Sequence, residues 1–355
     1  MMADLAKILV VLATIFAGFG SVVVGGGDHL LTILKSAGLD DYLSGRLAGK
    51  IDRAVFDAIP RSAPLDALAA GLLYRGLHDA GSQVWAGCGD WLFSAEELRV
   101  DRHDAANIDA RLRLLPKLVH AITSRGILLV VVPVPDKAEQ LEGQLCGLTA
   151  TASRRRATRW SEAAATLDLL QPDLHQGWPK PGYWRTDTHW DNSGAAFAAN
   201  AVADVVNGKL GRGSEPIKLV TGQPHQRPGD LARLAGLLDA PRWLGPVVEY
   251  APEIKLDIRR AGGLLDEASA PSVLLAGSSF SLNSSFIEYL QTALGREVGQ
   301  VSQAGGGFAG ALLDVLQQKP AILASTRVVI WELPMRSLVT PLSDAERRML
   351  EADAT

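Results

Sequence analysis

Apolar and polar positions alternate in different ways along this chain. From Ile8 to Gly27 no charged residue occurs, and this run of twenty is long enough to cross a bilayer core as a helix. Lys7 and the free amine precede it, a weak positive flank that favours an N-terminus left in the cytoplasm and a body carried across the membrane. A cleaved signal peptide would have a shorter apolar region ending in an A-x-A-like site, which is not clearly present, so a retained signal anchor over residues 1–27 is expected. A buried core helix is disfavoured by Gly18, Gly20 and Gly25-Gly26-Gly27. Apolar residues then recur at three- and four-residue steps through Leu30, Leu31, Ile33 and Leu34, and through Ile51, Ala54, Val55 and Ala58. Residues 28–83 are accordingly expected to form a helical stalk or cap, broken at Pro60 and Pro64.

The pattern changes at Val84-Trp85-Ala86-Gly87 and Asp90-Trp91-Leu92-Phe93, where glycine and aromatic residues predict a turn into a strand and the start of a main domain over 84–345, with 346–355 a tail. Helical spacing covers Ile108 to Thr123, with a kink expected at Pro116 and a stop at Gly126. The continuous apolar run Ile127 to Pro133, with shorter ones at Ser272 to Ala276 and Val328 to Trp331, predicts strands buried on both faces, hence a mostly parallel sheet. Helical patterns at Gly194 to Val206, Phe286 to Leu294 and Ala309 to Gln317 lie between or after them, so the expected fold is α/β, a three-layer α/β/α sandwich. Residues 207–257, richer in glycine, proline and charge, read as a long excursion from that sheet.

Composition adds bounds. The chain has 355 residues, 47% hydrophobic and 21% charged, enough for one large domain or two smaller ones with a sizeable core. A net charge of -4 carries no basic footprint, so no nucleic-acid partner is expected. The cluster Arg154-Arg155-Arg156 reads as a solvated helix face. Cys88 and Cys146 are compatible with one disulfide in an oxidising compartment or with two unrelated thiols.

Two segments carry candidate chemistry: Thr186-Asp187-Thr188-His189-Trp190, and Gly277-Ser278-Ser279-Phe280-Ser281. A serine hydroxyl is a poor nucleophile unless an imidazole takes its proton and a carboxylate fixes that imidazole's tautomer. Ser279 follows a predicted strand and precedes a helix expected from Asn283 to Gln291, at the carboxyl end of a strand, where ligands bind in open α/β sheets. A helix start there would also aim free N–H groups at a developing oxyanion. Asp187 and His189, two apart in a segment read as extended, would face one pocket. His175, Asp187, His189 and His225 lack the spacing of common zinc motifs, so neither a metal nor a cofactor is expected.

The tract Tyr183-Trp184-Arg185-Thr186-Asp187-Thr188-His189-Trp190 followed by Gly194 resembles the signature of the AlgJ/AlgX family of alginate O-acetyltransferases, which are SGNH hydrolase-like. Four further pieces fit in the same order: Val84 to Glu97, Val132 to Lys137, Gly277 to Ser281, and Val329 to Pro334. The resemblance implies Ser279 as nucleophile, His189 as its base and Asp187 as the group that orients the imidazole. It also implies a periplasmic α/β/α domain, held at the bacterial inner membrane by the N-terminal helix, that acetylates an exopolysaccharide with acetyl groups supplied by an MBOAT-type membrane acyltransferase. Ser278 stands where hydrolase motifs often carry Asp, and Met335-Arg336 follows Pro334 where the family often has Glu-Arg. About twenty residues after that point are too few for an AlgX-like carbohydrate module, so the chain is more like the anchored AlgJ form.

For the oxyanion, the Ser279 N–H plus either Asn283 or the turn at Gly305-Gly306-Gly307 is expected. Trp184 and Trp190 are candidates for stacking on sugars or for the core. Arg185 and Lys137 are candidates for attracting an anionic glycan or simple surface charges. An acetylesterase using the same trio and a non-catalytic glycan-binding scaffold are the alternative functions.

Overall fold

The computed structural model describes residues 2–58, 62–258 and 271–352. Its contacts divide the chain into two compact units, Met1–Asp66 and Ala67–Thr355. In the first, α1 (Met2–Ser36), α2 (Leu39–Leu43) and α3 (Arg46–Ala58) are helices, and α1 packs on α3. The glycines that argue against a packed helix have a use here. A Cβ on Gly26 would lie 2.6 Å from that of Ala58, so the bare backbone lets α3 come close. Among the described residues no helix is long and apolar enough to cross a membrane. The anchor expected over 1–27 is therefore not supported by the described residues, which exclude the side chains of 1–11, 13, 14, 17 and 21. Pro60 lies outside the described residues; Pro64 does not break a helix but sits in the first turn of α4 (Ala63–Leu77), where its missing N–H costs nothing.

The second unit holds the strands. β1 (Val84–Ala86) and β2 (Leu92–Ser94) form an antiparallel pair, followed by α5 (Ala95–Leu98) and α6 (Asp104–Thr123), which runs continuously through Pro116. Then come β3 (Leu128–Val134), α7 (Lys137–Gln140), α8 (Thr151–Thr166) and α9 (Asn192–Leu210). The excursion forms a second antiparallel pair, β4 (Ile217–Arg227) and β5 (Glu249–Ile258), with α10 (Asp230–Leu234) between them. The chain continues through β6 (Val273–Gly277), α11 (Phe286–Leu294), β7 (Gly299–Ser302), α12 (Gly310–Gln317), β8 (Val328–Pro334) and α13 (Asp344–Glu351).

The central sheet is parallel throughout, in the order β3-β8-β6-β7. Successive side chains on a strand point to opposite faces, and the core divides accordingly. Val130, Val132, Val134, Leu275 and Ile330 pack with α9 and α11, while Leu129, Val131, Leu274, Val329 and Trp331 pack with α6, α8 and α12. This is the expected three-layer α/β/α arrangement. Cys88 and Cys146 are joined in a disulfide with Cα atoms 5.3 Å apart, which decides between the two readings of the cysteines. The arginine cluster is only partly solvated. Arg156 is buried and donates to Asp136, Ser153 and the carbonyl of Glu97.

Candidate active site

Strand β6 ends at Gly277, and the chain then makes two tight turns, Leu282 N–H to Ser279 O and Asn283 N–H to Phe280 O, before α11 opens at Phe286. The helix thus spans the apolar pattern of Phe286 to Leu294 and does not start at Asn283; Ser284 and Ser285 are in the left-handed region, and no helix N-terminus lies directly behind Ser279. What holds this turn is a carboxylate. Glu332, on β8 and 2% exposed, accepts from the N–H of Ser278 (2.7 Å), the Ser278 hydroxyl (2.8 Å), the N–H of Ser281 (3.2 Å) and the Ser281 hydroxyl (2.7 Å). The Ser278 hydroxyl accepts in turn from the N–H of Phe280. Ser279 is left half-buried, and its own N–H has no partner among the described residues.

Asp187 and His189 come from the segment between β-bridge partners Tyr183 and Trp190. This segment is bent rather than extended: Asp187 Oδ1 accepts both the His189 N–H (2.8 Å) and His189 Nδ1–H (2.6 Å). The far ring nitrogen, Nε2, lies 2.8 Å from Ser279 Oγ across 90 residues of sequence. A hydroxyl, an imidazole and a carboxylate are therefore joined in one chain of hydrogen bonds, with Ser279 the most accessible member. Burial pushes the Asp187 carboxyl up, but its bond to His189, the charge of that ring and Arg227 outweigh burial and hold it well below the usual carboxylate range.

The bent segment is gripped from both sides. Lys137, buried rather than a surface charge, donates to the carbonyls of Leu92, Arg185 and Asp187 at 2.6, 2.9 and 2.9 Å. Burial lowers its ammonium to about 8 against the pull of Glu97, Asp187, Glu249 and Asp230. On the other side the excursion supplies carboxylates to the N–H groups. Glu249 accepts from the N–H groups of Arg185 and Thr186 and from the Thr186 hydroxyl, and Asp230 accepts from the Thr188 N–H and hydroxyl. Arg227 reaches Asp187 Oδ2 at 3.3 Å and Asn283 Oδ1 at 3.0 Å. Glu332, Lys137, Glu249, Asp230 and Arg227 are absent from the expected trio. Glu332 and Lys137 stand inside tracts that resemble the family, whereas the other three lie in an excursion with no periodicity to mark them.

Two cavities border the trio, one on the Ser279 side and one on the side of Asp187 and His189. One, about 350 Å³, is bordered by Ser278, Ser279, Gly305, Gly306, Gly307 and Arg336. The other, about 410 Å³, lies on the imidazole side between His189, His225, Arg227, Asp230, Arg233 and Asn283. Gly306 donates its N–H to Gln303 O, so it has none to offer an oxyanion; Gly305 and Gly307 keep theirs unpaired among the described residues. Asn283 spends a side-chain N–H on Ser279 O, where it supports the turn. Trp190 is wholly buried, donates to Phe280 O and stacks on Phe286, so it belongs to the core and does not reach a sugar. Trp184 is partly exposed beside Arg227, and the Arg185 side chain is exposed over Trp91. Asp187, His189 and Asp230 offer atoms within 4.8 Å of one another, but these atoms serve the His189 ring, the Thr188 hydroxyl and main-chain N–H groups. His175 and His225 join no such cluster among the described residues.

A parallel sheet with a hydrogen-bonded Ser–His–Asp chain at its carboxyl edge defines a serine-hydrolase-like α/β/α protein. Residues 84–335 match the family described as SGNH hydrolase-like domain, acetyltransferase AlgX, and the chain belongs to that family. It is 26% identical over 312 residues to the "Probable alginate O-acetylase AlgJ" of Pseudomonas fluorescens, covering 83% of this chain and 78% of that protein. It is 26% identical over 257 residues to the alginate biosynthesis protein AlgX of Pseudomonas syringae pv. tomato, covering 69% of this chain and 53% of that one. Among solved structures, the O-acetyltransferase domain of Pseudomonas putida AlgJ superposes with a TM-score of 0.66 at 24% identity, over 76% of this chain and 99% of that one. Pseudomonas aeruginosa AlgX superposes with a TM-score of 0.54 at 19% identity, over 76% and 65%.

Proposed function

We propose that this chain is a periplasmic O-acetyltransferase that carries acetyl groups on Ser279 and delivers them to hydroxyls of a bacterial exopolysaccharide. The observation that carries this reading is the continuous hydrogen-bond chain from Ser279 Oγ through His189 to Asp187 within an acetyltransferase-family domain. In the first half-reaction His189 Nε2 takes the Ser279 proton as Oγ attacks the acetyl carbonyl carbon. The tetrahedral intermediate collapses as the imidazolium returns the proton to the leaving group. In the second half-reaction a sugar hydroxyl gives its proton to His189, attacks the acetyl-serine, and releases Ser279 as the imidazolium protonates it. The oxyanion is held by the Ser279 N–H, joined by the Gly307 N–H on the same cavity wall.

The acetyl donor is a membrane acyltransferase of the MBOAT class, and residues 1–27 hold the chain at the inner membrane, with a helical stalk or cap over 28–83 and a domain over 84–345. Support for the tether comes from the twenty uncharged residues of 8–27 and from exposed Leu12, Ile15, Phe16, Phe19, Val23 and Val24 on α1. Carbonate extraction of membranes tests it, since release of the full chain into the soluble fraction would remove the tether.

The activity is tested by mass spectrometry after incubation with a chromogenic acetyl ester, with and without an oligosaccharide. An adduct on Ser279 that passes to the sugar supports the transferase. Acetyl released only to water makes the protein an esterase, and glycan acetylation unaffected by Ser279→Ala makes it a scaffold.

A further inference from the structure

Glu332 is a buried carboxylate that does not touch the reacting atoms, yet it is the partner of four donors on the two residues that bracket Ser279. Resting on the reading of Ser279 as nucleophile, we propose that Glu332 is a positioning residue that sets the nucleophile's turn and determines which N–H groups face the oxyanion.

The argument is one of satisfied and unsatisfied groups. The turn 278–281 offers four main-chain N–H groups. Glu332 takes those of Ser278 and Ser281, and the Ser278 hydroxyl, itself oriented by Glu332, takes that of Phe280. Only the Ser279 N–H is left over among the described residues, and Ser279 borders the glycine-lined cavity. One carboxylate therefore sorts the turn into three N–H groups that are spoken for and one that is free for chemistry. The fit is close: a Cβ on Gly277 would lie 2.0 Å from Ser281 Oγ and 2.9 Å from Glu332 Oε2, so the strand end must be bare for the carboxylate to reach both serines. Because four donors converge on two oxygens, the site needs an acceptor without protons of its own. A glutamine of the same shape would turn an amide N–H₂ toward donors and break the arrangement. Ser278 has its place for the same reason. Where related motifs carry a carboxylate beside the nucleophile, this chain has a hydroxyl there and brings the carboxylate from β8.

The test uses the full chain and an activated acetyl ester. Glu332→Gln is expected to slow acetylation of Ser279 by about 10²-fold, the scale on which a small misplacement of a reacting group is felt, with KM for the ester unchanged. Ser278→Ala is expected to give a smaller loss, and the double variant less than the product of the two. Hydrogen exchange at the amides of Ser278 and Ser281, slow in the parent, should become fast in Glu332→Gln. A folded Glu332→Gln protein that acetylates at the parent rate overturns the proposal, as do fully independent effects of the two substitutions. If Glu332→Gln does not fold, a parent-like acetylation rate in Ser278→Ala overturns it. If the parent itself forms no acetyl-Ser279, the nucleophile reading has failed, and the exchange measurement still decides on Glu332: unchanged protection in the glutamine variant removes it.

Discussion

The ammonium of Lys137 donates to the main-chain carbonyl of Asp187 at 2.9 Å, so a cation buried in the domain holds in place the carboxylate that bonds His189. Its other two protons go to Leu92 and Arg185, which ties the β1–β2 pair to the same segment. Lys137→Met takes the donor from the buried carbonyls of Leu92 and Asp187 and from the partly buried one of Arg185, and a loss of about 3–5 kcal/mol is expected. Urea unfolding of parent and variant measures it, and transferase activity should fall along with stability.

Asp187→Asn keeps the shape of the segment but presents the wrong group to His189 Nδ1. A drop on the order of 10⁴-fold in turnover is expected, since the imidazole loses its tautomer control. The His189→Ala and Ser279→Ala variants should form no acetyl-enzyme at all, which a stopped-flow assay with a chromogenic ester reads directly.

Gly229, the residue just before α10, lies so close to Thr186 that an added Cβ would sit 2.0 Å from the Thr186 carbonyl oxygen. Gly229→Ala must push the start of α10 off the bent segment, at a cost of about 1–3 kcal/mol. Because Asp230 and Arg227 would move with it, turnover should fall more than ester affinity does, and comparing kcat with KM checks this.

Glu97 is fully buried, and burial, with the nearby charge of Asp136, pushes it up to about 7 against the opposing Arg336, Ala138 N–H and Lys137. A carboxyl with a raised folded value binds its proton more tightly in the native state. Its contribution is thus complete below about 4.5 and is lost as pH rises through 7. Between pH 5 and 8 the parent should lose Tm relative to Glu97→Gln, which calorimetry across that range measures.

Reduction of Cys88–Cys146, which spans 58 residues of sequence, should lower stability by about 2–4 kcal/mol. Thermal unfolding with and without dithiothreitol gives the difference, and a Cys88→Ser/Cys146→Ser protein should match the reduced one.

Much of the fold is readable because β3, β6 and β8 are uninterrupted apolar runs between helical patterns, and such runs have few other solutions. β7 escapes notice because Gly299-Gln300-Val301-Ser302 is short, polar and at the sheet's edge. Ser279, His189 and Asp187 are legible because their residue types in these tracts have a shared chemistry. Their supports are harder to see. Glu249 and Asp230 look like ordinary surface acids, and nothing local in the sequence says that they fold back onto Thr186 and Thr188. Lys137 and Trp190 mislead in opposite ways: a lysine suggests solvent and a tryptophan suggests a ligand, yet both are buried and fully engaged by neighbours.

The last strand made, β8, is not at the margin of the sheet but between β3 and β6. In sequence it follows both His189 and Ser279, and it pairs with β3 over residues 328–334 and with β6 over residues 328–331. That same strand brings Glu332 to the serine's turn. A chain cut before residue 328 therefore lacks both the strand that joins β3 to β6 and the carboxylate that accepts from Ser278 and Ser281, so removal of the C-terminal part reaches the Ser279 turn although that turn lies some fifty residues upstream.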